Sequence, residues 1–477
     1  MKKIVLLILV LVMIIACGDN SSNEVKETTI RIEETTEEIT FKLPDYDFNG
    51  YKFNILTAAE QWIQYYYAEN ENGDIINDSV YARNRAVEEL YNINLNYQVY
   101  NGYNAGMDSV ATALRGAVNA ATGEFDLMIA GIGYYAPRIL EGLFIDMYKV
   151  DTINYEYPWW LDKINNSTTI ANKAYTVAGS YALNSMTGAW GVFFNKKLIN
   201  DFELEVPYDL VNSGKWTFDK MLELGSQVYA DLNGNSERDK DDRYGLITGA
   251  GDICNYIRYA LGTTITKYDS NGYPVLDGAS ERMVIVYDKL KALYYSDEYV
   301  YNFADIDIRE KVIMFTDNRA LFYSYAIRLA EDTTMRDFEE YGIVPQPKFD
   351  EKQSDYYALC GGDSYSILLF SNDESMSGAV LEALNMESYL NVIPSYYNIA
   401  LQRKFIRDDE SSAMLDIILD GRIYDFGAMY SSSIENGIYN IRSLIMENKE
   451  FTSWWASNEA AIQKNMEKLI EQLKELQ

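Results

Sequence analysis

The fold class follows from two stretches, YKFNILT at Tyr51–Thr57 and DSVYARNRAVEELY at Asp78–Tyr91. The first predicts a β-strand, and the second predicts a helix because its apolar residues recur at helical spacing. The alternation continues with a strand at Ile93–Tyr97, a helix at Met107–Ala121 and the strand DLMIA at Asp126–Ala130. Such alternation is typical of α/β proteins with mostly parallel or mixed sheets. We therefore predict an α/β fold that begins as a doubly wound sheet.

The residues before the first strand have the features of an export signal. Two lysines precede an apolar run at Ile4–Ile15; as a helix this run is about 18 Å long, too short for a hydrocarbon core of about 30 Å. The tetrapeptide IIAC, which ends at Cys17, resembles the lipobox of bacterial lipoproteins. We predict a signal peptide at 1–16 and a lipidated Cys17, with an ordinary secretory signal as the alternative. The polar, acidic segment 17–42 predicts a flexible tether.

Composition limits the classes of function. A chain of 477 residues with 48% hydrophobic content predicts two domains. The net charge of −31 argues against nucleic acid or anionic lipid as a partner and favours a neutral or cationic one. The chain has 41 tyrosines but no histidine. It therefore lacks the residue that most often serves as general base and as metal ligand. Any catalytic function would have to use carboxylates.

Cysteine is scarce. Beyond Cys17 the chain has only Cys254 and Cys360, too few for a disulfide framework. We expect two unpaired, buried thiols, with a disulfide between them as the alternative.

One loop has the spacing of a calcium site. Oxygen-bearing side chains occur at relative positions 1, 3, 5, 9 and 12 of the segment that begins at Asp231, and a carbonyl is available at position 7. This pattern suits the hard Ca²⁺ ion. Ser236 stands where EF-hands carry Gly, and an Asp replaces the usual Glu at the twelfth position. The alternative is a solvated acidic turn. We predict a structural Ca²⁺ ion with the ligands Asp231, Asn233, Asn235, Glu237, Asp239 and Asp242.

Several stretches occur in the order and spacing of one known family. The chain resembles the family 1 extracellular solute-binding proteins of sugar ABC importers, which have the type II periplasmic-binding-protein fold. The matching stretches are Gly73–Leu95, Phe125–Met147, Ala189–Ile199, Ser213–Met221 and Met314–Lys348.

The resemblance implies two lobes with a ligand cleft between them. Lobe 1 would combine residues 43–188 and 345–395, and lobe 2 would combine 189–344 with the helical C-terminal region 396–477. Strands would cross between the lobes near Gly188–Phe194, Tyr341–Gln346 and Ile393–Tyr397. A ligand that contacts both lobes would favour their closure.

Candidate ligand contacts are aromatic residues near strand ends, because Trp and Tyr cover the apolar faces of sugars while polar groups bind the hydroxyls. Two glycines and an aspartate before a strand at Tyr365–Phe370 would let a ligand approach the backbone. Asp126 begins its strand, so we expect it to be structural. The candidates are Trp62, Tyr134, Tyr135, Trp190, Gly361, Gly362 and Asp363.

Together these features predict a monomeric, lipid-anchored, extracytoplasmic receptor with no catalytic residues. It would capture a small solute, a sugar or oligosaccharide, and deliver it to the permease of an ABC importer. Peptides and polyamines remain open as ligands. Two other classes remain as alternatives: a surface glycoside hydrolase that uses a carboxylate pair, and an adhesin or scaffold lipoprotein.

Overall fold

The computed structural model of the chain describes residues 41–57, 60–100, 103–249, 256–295, 299–301, 307–397, 409–434 and 441–476. Residues 43–477 form one compact unit. The predicted signal peptide, Cys17 and most of the tether lie outside the described residues, as does Cys254. Within the described ranges, no helix combines the length and the apolar character that crossing a membrane requires.

The strands are β1 Tyr51–Thr57, β2 Ile93–Val99, β3 Leu127–Gly131, β4 Trp190–Asn195, β5 Tyr244–Ile247, β6 Thr266–Tyr268, β7 Pro274–Leu276, β8 Val300–Tyr301, β9 Ala320–Ala326, β10 Tyr341–Pro345, β11 Ala358–Leu359, β12 Asp363–Ser366 and β13 Arg422–Ile423. The α-helices are Ile75–Tyr91, Tyr103–Asn119, Tyr135–Leu140, Asp162–Thr168, Asn184–Thr187, Lys196–Asp201, Pro207–Asn212, Phe218–Ser226, Arg258–Ala260, Glu281–Tyr295, Ile308–Thr316, Thr333–Asp337, Glu374–Glu387, Asp409–Asp420, Phe426–Met429, Ile441–Met446 and Phe451–Glu475. Single 3₁₀ turns occur at Glu60–Tyr65, Ile132–Tyr134, Met147–Lys149 and Ile327–Glu331, and a π-helical turn at Ser388–Val392.

The first sheet has the strand order β12-β3-β1-β2. β1 pairs in parallel with both β2 and β3, and β12 returns to pair antiparallel with β3. Helices connect the parallel strands, so the predicted doubly wound beginning is confirmed. β1 lies inside the sheet, and its consecutive residues Ile55, Leu56 and Thr57 are all fully buried, as expected for a strand covered on both faces.

The second sheet has the order β10-β4-β9-β5-β8 and is mixed. β4 is antiparallel to both of its neighbours, whereas β5 pairs in parallel with β8 and β9. The predicted α/β class with mixed sheets and a helical C-terminal region is therefore confirmed. The strands of the first sheet fall within the segments predicted for lobe 1, and nearly all of the second within lobe 2. The lobe boundaries themselves stay a prediction.

Two sequence-based boundaries require correction for a clear structural reason. The first helix begins at Ile75 because the carboxylate of Asp74 accepts from the amides of Ile76 and Asn77; Asp78 instead accepts from the amide of Asn72. β12 covers Asp363–Ser366 rather than the predicted 365–370, since Phe370 lies in the left-handed region at φ 64°.

The third predicted crossing, residues 393–397, is helical and not a strand. It continues the helix Glu374–Glu387 through the π turn, in which the amide of Ile393 donates to the carbonyl of Ser388. The first two predicted crossings are strands β4 and β10, which pair side by side. Gln346, directly after β10, donates to the carbonyl of Gly191 and to the hydroxyl of Ser324, and so ties β10 to β4 and β9.

Candidate functional site

The carboxyl end of β1 leads to the first aromatic part of the site. After the strand, the 3₁₀ turn Glu60–Tyr65 presents Trp62, which is half-buried. The ring of Trp62 stacks on that of Tyr65, with centroids 6.0 Å apart and planes within 5°. A flat aromatic surface therefore stands beside the first sheet.

The second aromatic part lies on the second sheet. Trp190 opens β4 and is paired with Ala326 at the end of β9. Its ring stacks on Tyr256 at 3.7 Å with planes 12° apart, and lies 5.0 Å from the ring of Tyr325. Only 3% of Trp190 is exposed, so in this conformation Tyr256 and Tyr325 cover it.

Arg328 joins the two aromatic parts. β9 passes directly into the 3₁₀ turn Ile327–Glu331, which places Arg328 just beyond the strand end. Its guanidinium carbon lies 5.3 Å from the centre of the Trp62 ring and 5.7 Å from that of Tyr325, both cation–π distances. The Arg328 cluster, meaning Arg328 with the rings of Trp62, Tyr65, Trp190, Tyr256 and Tyr325, thus draws on both sheets.

A pocket of about 420 Å³ adjoins this cluster. Its size is that of small-molecule sites, which run from about 300 to 1,000 Å³. Sequence reasoning missed all of its lining residues, although an arginine directly after a buried strand was a signal that could have found Arg328. The lining residues are Ile308, Arg309, Tyr325, Arg328, Leu329, Glu331, Asp332, Thr333 and Thr334.

The pocket contains charges of both signs. Burial raises the pKa of Glu331, while a hydrogen bond from the Tyr396 hydroxyl and the nearby charge of Arg328 lower it. Asp332 caps the helix Thr333–Asp337 by accepting from the amide of Thr334. The two acids are therefore held by protein donors.

The candidates next to β3, Tyr134 and Tyr135, are not part of the Arg328 cluster. Tyr134 is half-buried, with the guanidinium carbon of Arg138 4.2 Å from its ring centre. Tyr135 has no exposed surface, and its hydroxyl donates to the carbonyls of Met128 and Ser364. Tyr135 therefore belongs to the core of the first sheet, and we leave it out of the proposed site.

The glycines before β12 differ from each other. Gly361 is exposed, and a Cβ there would meet no atom within 4 Å. A Cβ on Gly362 would lie 2.6 Å from the Cα of Ser185, so its close approach is to the protein's own backbone rather than to an open cleft.

Asp363 has a structural role. It is 5% exposed, its carboxylate accepts from the Tyr66 hydroxyl at 2.7 Å, and its amide donates to Asn184 Oδ1 at 3.0 Å. Burial raises the pKa of this carboxyl to about 6, against the hydrogen bonds from Tyr66 and Asn184 that lower it. Its oxygen atoms are not offered to a ligand in this conformation.

The predicted calcium loop closes on itself. The carboxylate of Asp231 accepts from the amides of Gly234 and Ser236, and that of Asp242 accepts from the amides of Leu232 and Asp239. Ser236 takes the left-handed conformation at φ 60° that a Gly would adopt more readily. In the part of the chain that the structure describes, no three Asp, Glu, His or Cys side chains are grouped to hold a metal ion. That search does not include the Asn side chains or backbone carbonyls of the predicted site, so the calcium ion stays a prediction.

Two other expectations concern structural residues. Asp126 is fully buried and accepts from the Asn54 amide and the Tyr51 hydroxyl, which confirms its structural role. Cys360 is an unpaired, buried thiol that donates to the carbonyl of Ser185, as expected.

No protein-family model and no curated protein matches the sequence significantly. Solved structures do match it along most of its length. The GacH receptor of Streptomyces glaucescens, studied with acarbose, superposes with a TM-score of 0.54 at 13% identity, over 90% of this chain and 100% of that one. The chain has the type II periplasmic-binding-protein fold.

Two further structures with this fold show the same degree of similarity. The sugar-binding protein MalE of Xanthomonas citri has a TM-score of 0.58 at 13% identity and covers 89% of this chain and 97% of its own. The galacto-N-biose/lacto-N-biose I-binding protein of Bifidobacterium longum has a TM-score of 0.58 at 12% identity, with 90% and 99% covered. At such low identity the similarity establishes the fold of this chain and not its ligand.

Proposed function

We propose that this protein is a solute-binding receptor of an ABC importer and that it captures a sugar or oligosaccharide. The observation that carries the proposal is the Arg328 cluster, in which Trp62 from the first sheet and Tyr325 from the second lie against one guanidinium. Aromatic faces and a polar group with several donors are the combination that binds the C–H faces and hydroxyls of a sugar. The shared fold with sugar-binding proteins supports the same proposal.

In this proposal the two sheets are the cores of two lobes, and the ligand lies between them. A ligand that touches Trp62 on one side and Tyr325 on the other gains contacts only when the lobes are close, so it favours the closed state. The permease would recognise that closed surface. No catalytic step is proposed, because the acids of the pocket, Glu331 and Asp332, are held by hydrogen bonds within the protein.

A thermal-stability panel tests the receptor proposal. The purified protein is melted with monosaccharides, oligosaccharides, amino acids, peptides and polyamines. We expect one class of sugar to raise the melting temperature through binding linkage and to be recovered unchanged. A hydrolysed sugar would favour the glycosidase alternative, and stabilisation by peptides or polyamines alone would replace the sugar as ligand.

We also propose that Cys17 carries a lipid that anchors the receptor outside the cytoplasm, as a monomer. Two or more acyl chains give durable membrane binding, whereas one gives only marginal binding. Cells that express the wild type or Cys17→Ser are fractionated, and the amount of each protein in the membrane fraction is measured. The variant should leave the membrane fraction, and retention of both would contradict a lipid anchor.

A structural calcium ion in the loop Asp231–Asp242 remains a further proposal. The side-chain amides of Asn233 and Asn235 both donate to the carboxylate of Asp239, so three of the predicted ligands lie together. If calcium binds, chelation with EGTA lowers the melting temperature of the wild type and has no effect on Asp231→Ala. Equal melting temperatures of the wild type with and without EGTA would rule the ion out.

A further inference from the structure

Two arginines of the pocket have unused hydrogen-bonding capacity. Among the residues that the structure describes, neither Arg328 nor Arg309 forms a hydrogen bond or an ion pair. Each guanidinium carries five N–H donors in a fixed plane. The acids beside them are occupied elsewhere, since Glu331 accepts from the Tyr396 hydroxyl and Asp332 accepts from backbone amides.

The position of Arg328 makes its lack of hydrogen bonds informative. Its side chain is half-buried, and the rings of Trp62 and Tyr325 lie within cation–π distance of its guanidinium. Aromatic rings attract the charge but do not replace the hydrogen bonds that the N–H groups lose when water is displaced. A ligand group with two acceptor oxygens in one plane would satisfy these donors together.

We propose that the ligand is an acidic sugar and that Arg328 binds its carboxylate. The inference rests on the proposed sugar-binding function and adds the chemical class of the sugar. A carboxylate matches the planar fork of a guanidinium in a bidentate pair, whereas a neutral sugar offers single hydroxyls. Trp62 and Tyr325 would contact the ring of the same sugar, and Arg309 adds a second positive charge to the pocket.

The net charge of −31 does not oppose this ligand strongly. At physiological salt the screening length is about 8 Å, so distant surface carboxylates contribute little at the pocket. The groups within the pocket dominate there. The charges of Arg309 and Arg328 balance those of Glu331 and Asp332 in its lining. The oxygens of the two acids accept from protein donors, so the half-buried guanidinium of Arg328 is the group that a ligand carboxylate would meet.

Matched pairs of sugars test the inference by titration calorimetry on the full-length protein in mild detergent. The pairs are D-galacturonate with D-galactose and D-glucuronate with D-glucose, each as the monosaccharide and as the linked di- and trisaccharide. We expect at least one acidic member to bind about tenfold or more tightly than its neutral partner, because a charge-assisted bidentate bond is present in only one of them.

Three variants assign the preference to Arg328. Arg328→Gln should abolish it, and Arg328→Lys should retain only part, since an ammonium attracts the carboxylate but does not match its two oxygens. Arg115→Gln is the control, because Arg115 pairs with Glu141 at the surface and its loss changes the net charge equally. The melting temperature of each ligand-free variant shows whether it has folded.

Each outcome has a distinct meaning. A neutral sugar that binds as tightly as its acidic partner overturns this inference and leaves the receptor proposal standing. Full acid preference in a folded Arg328→Gln variant overturns the role of Arg328. Absence of binding by every sugar in the panel overturns both the inference and the sugar-binding function on which it rests.

Discussion

Tyr65 and Tyr66 are neighbours in the chain but belong to two different kinds of polar environment. Tyr65 stacks on Trp62 in the Arg328 cluster, where a guanidinium has unused donors. Tyr66 is fully buried and donates to Asp363, whose own amide is bonded to Asn184. The comparison indicates that residue type alone does not separate candidate ligand contacts from structural residues. What separates them is whether the protein already satisfies the hydrogen-bonding groups.

The largest expected effect is on the free energy of unfolding, which should fall much more when the buried Trp190 is replaced than when the half-buried Trp62 is replaced. Trp190 is 3% exposed and packed under Tyr256, so Trp190→Ala should lower the free energy of unfolding by about 3–5 kcal/mol. Trp62 is half-buried, and Trp62→Ala should cost about 1 kcal/mol or less. Urea unfolding of both variants measures the difference. Equal losses would contradict the burial that distinguishes them.

The next effect concerns how the folding stability depends on pH through Asp363, the buried acid that accepts from Tyr66. Burial raises the pKa of Asp363 from 3.8 to about 6 in the folded state. The folded protein therefore holds the proton more tightly than the unfolded chain, and stability falls as the pH rises from about 4 to about 6, by about 3 kcal/mol from this residue. Asp363→Asn should remove that part of the fall. Unfolding free energies at pH 4 and pH 7 with the same difference in both proteins would refute the assignment.

A smaller effect isolates the hydrogen bond between Tyr66 and Asp363. Tyr66→Phe removes the donor and leaves a buried carboxylate with fewer partners, so stability at pH 7 should fall by about 2 kcal/mol. Tyr67→Phe is the matched control, since Tyr67 is 42% exposed and should change stability by less than about 0.5 kcal/mol. Chemical denaturation compares the two. A loss at Tyr66 no larger than at Tyr67 would show that the bond contributes nothing.

Much of the fold was predictable from local patterns. β1 matches its predicted bounds at Tyr51–Thr57, because its apolar residues alternate and polar turns flank it. The predicted start of the first helix at Asp78 was wrong, because Asp74 caps the helix and Asp78 accepts from the amide of Asn72 in the folded loop. The helical form of residues 393–397 was not predictable, because those residues extend a helix across a π turn that no local signal marks.

The site was predictable only in part. Trp62 and Trp190 were selected from the sequence and lie in the Arg328 cluster. Tyr134 and Tyr135 were selected together, yet Tyr135 points into the core, and periodicity does not reveal which of two adjacent residues does so. Arg328 was missed because its proximity to Trp62 depends on how two sheets distant in sequence are assembled.

The central claim is that one sugar contacts both sheets through the Arg328 cluster. Calorimetric titration of the wild type and of Trp62→Ala, with the sugar that stabilises the protein most, tests it directly. The account predicts a single saturable site in the wild type, recovery of the sugar unchanged, and an affinity about tenfold weaker in a variant that remains folded. Equal affinity in the two proteins, or no saturable binding in the wild type, would contradict it.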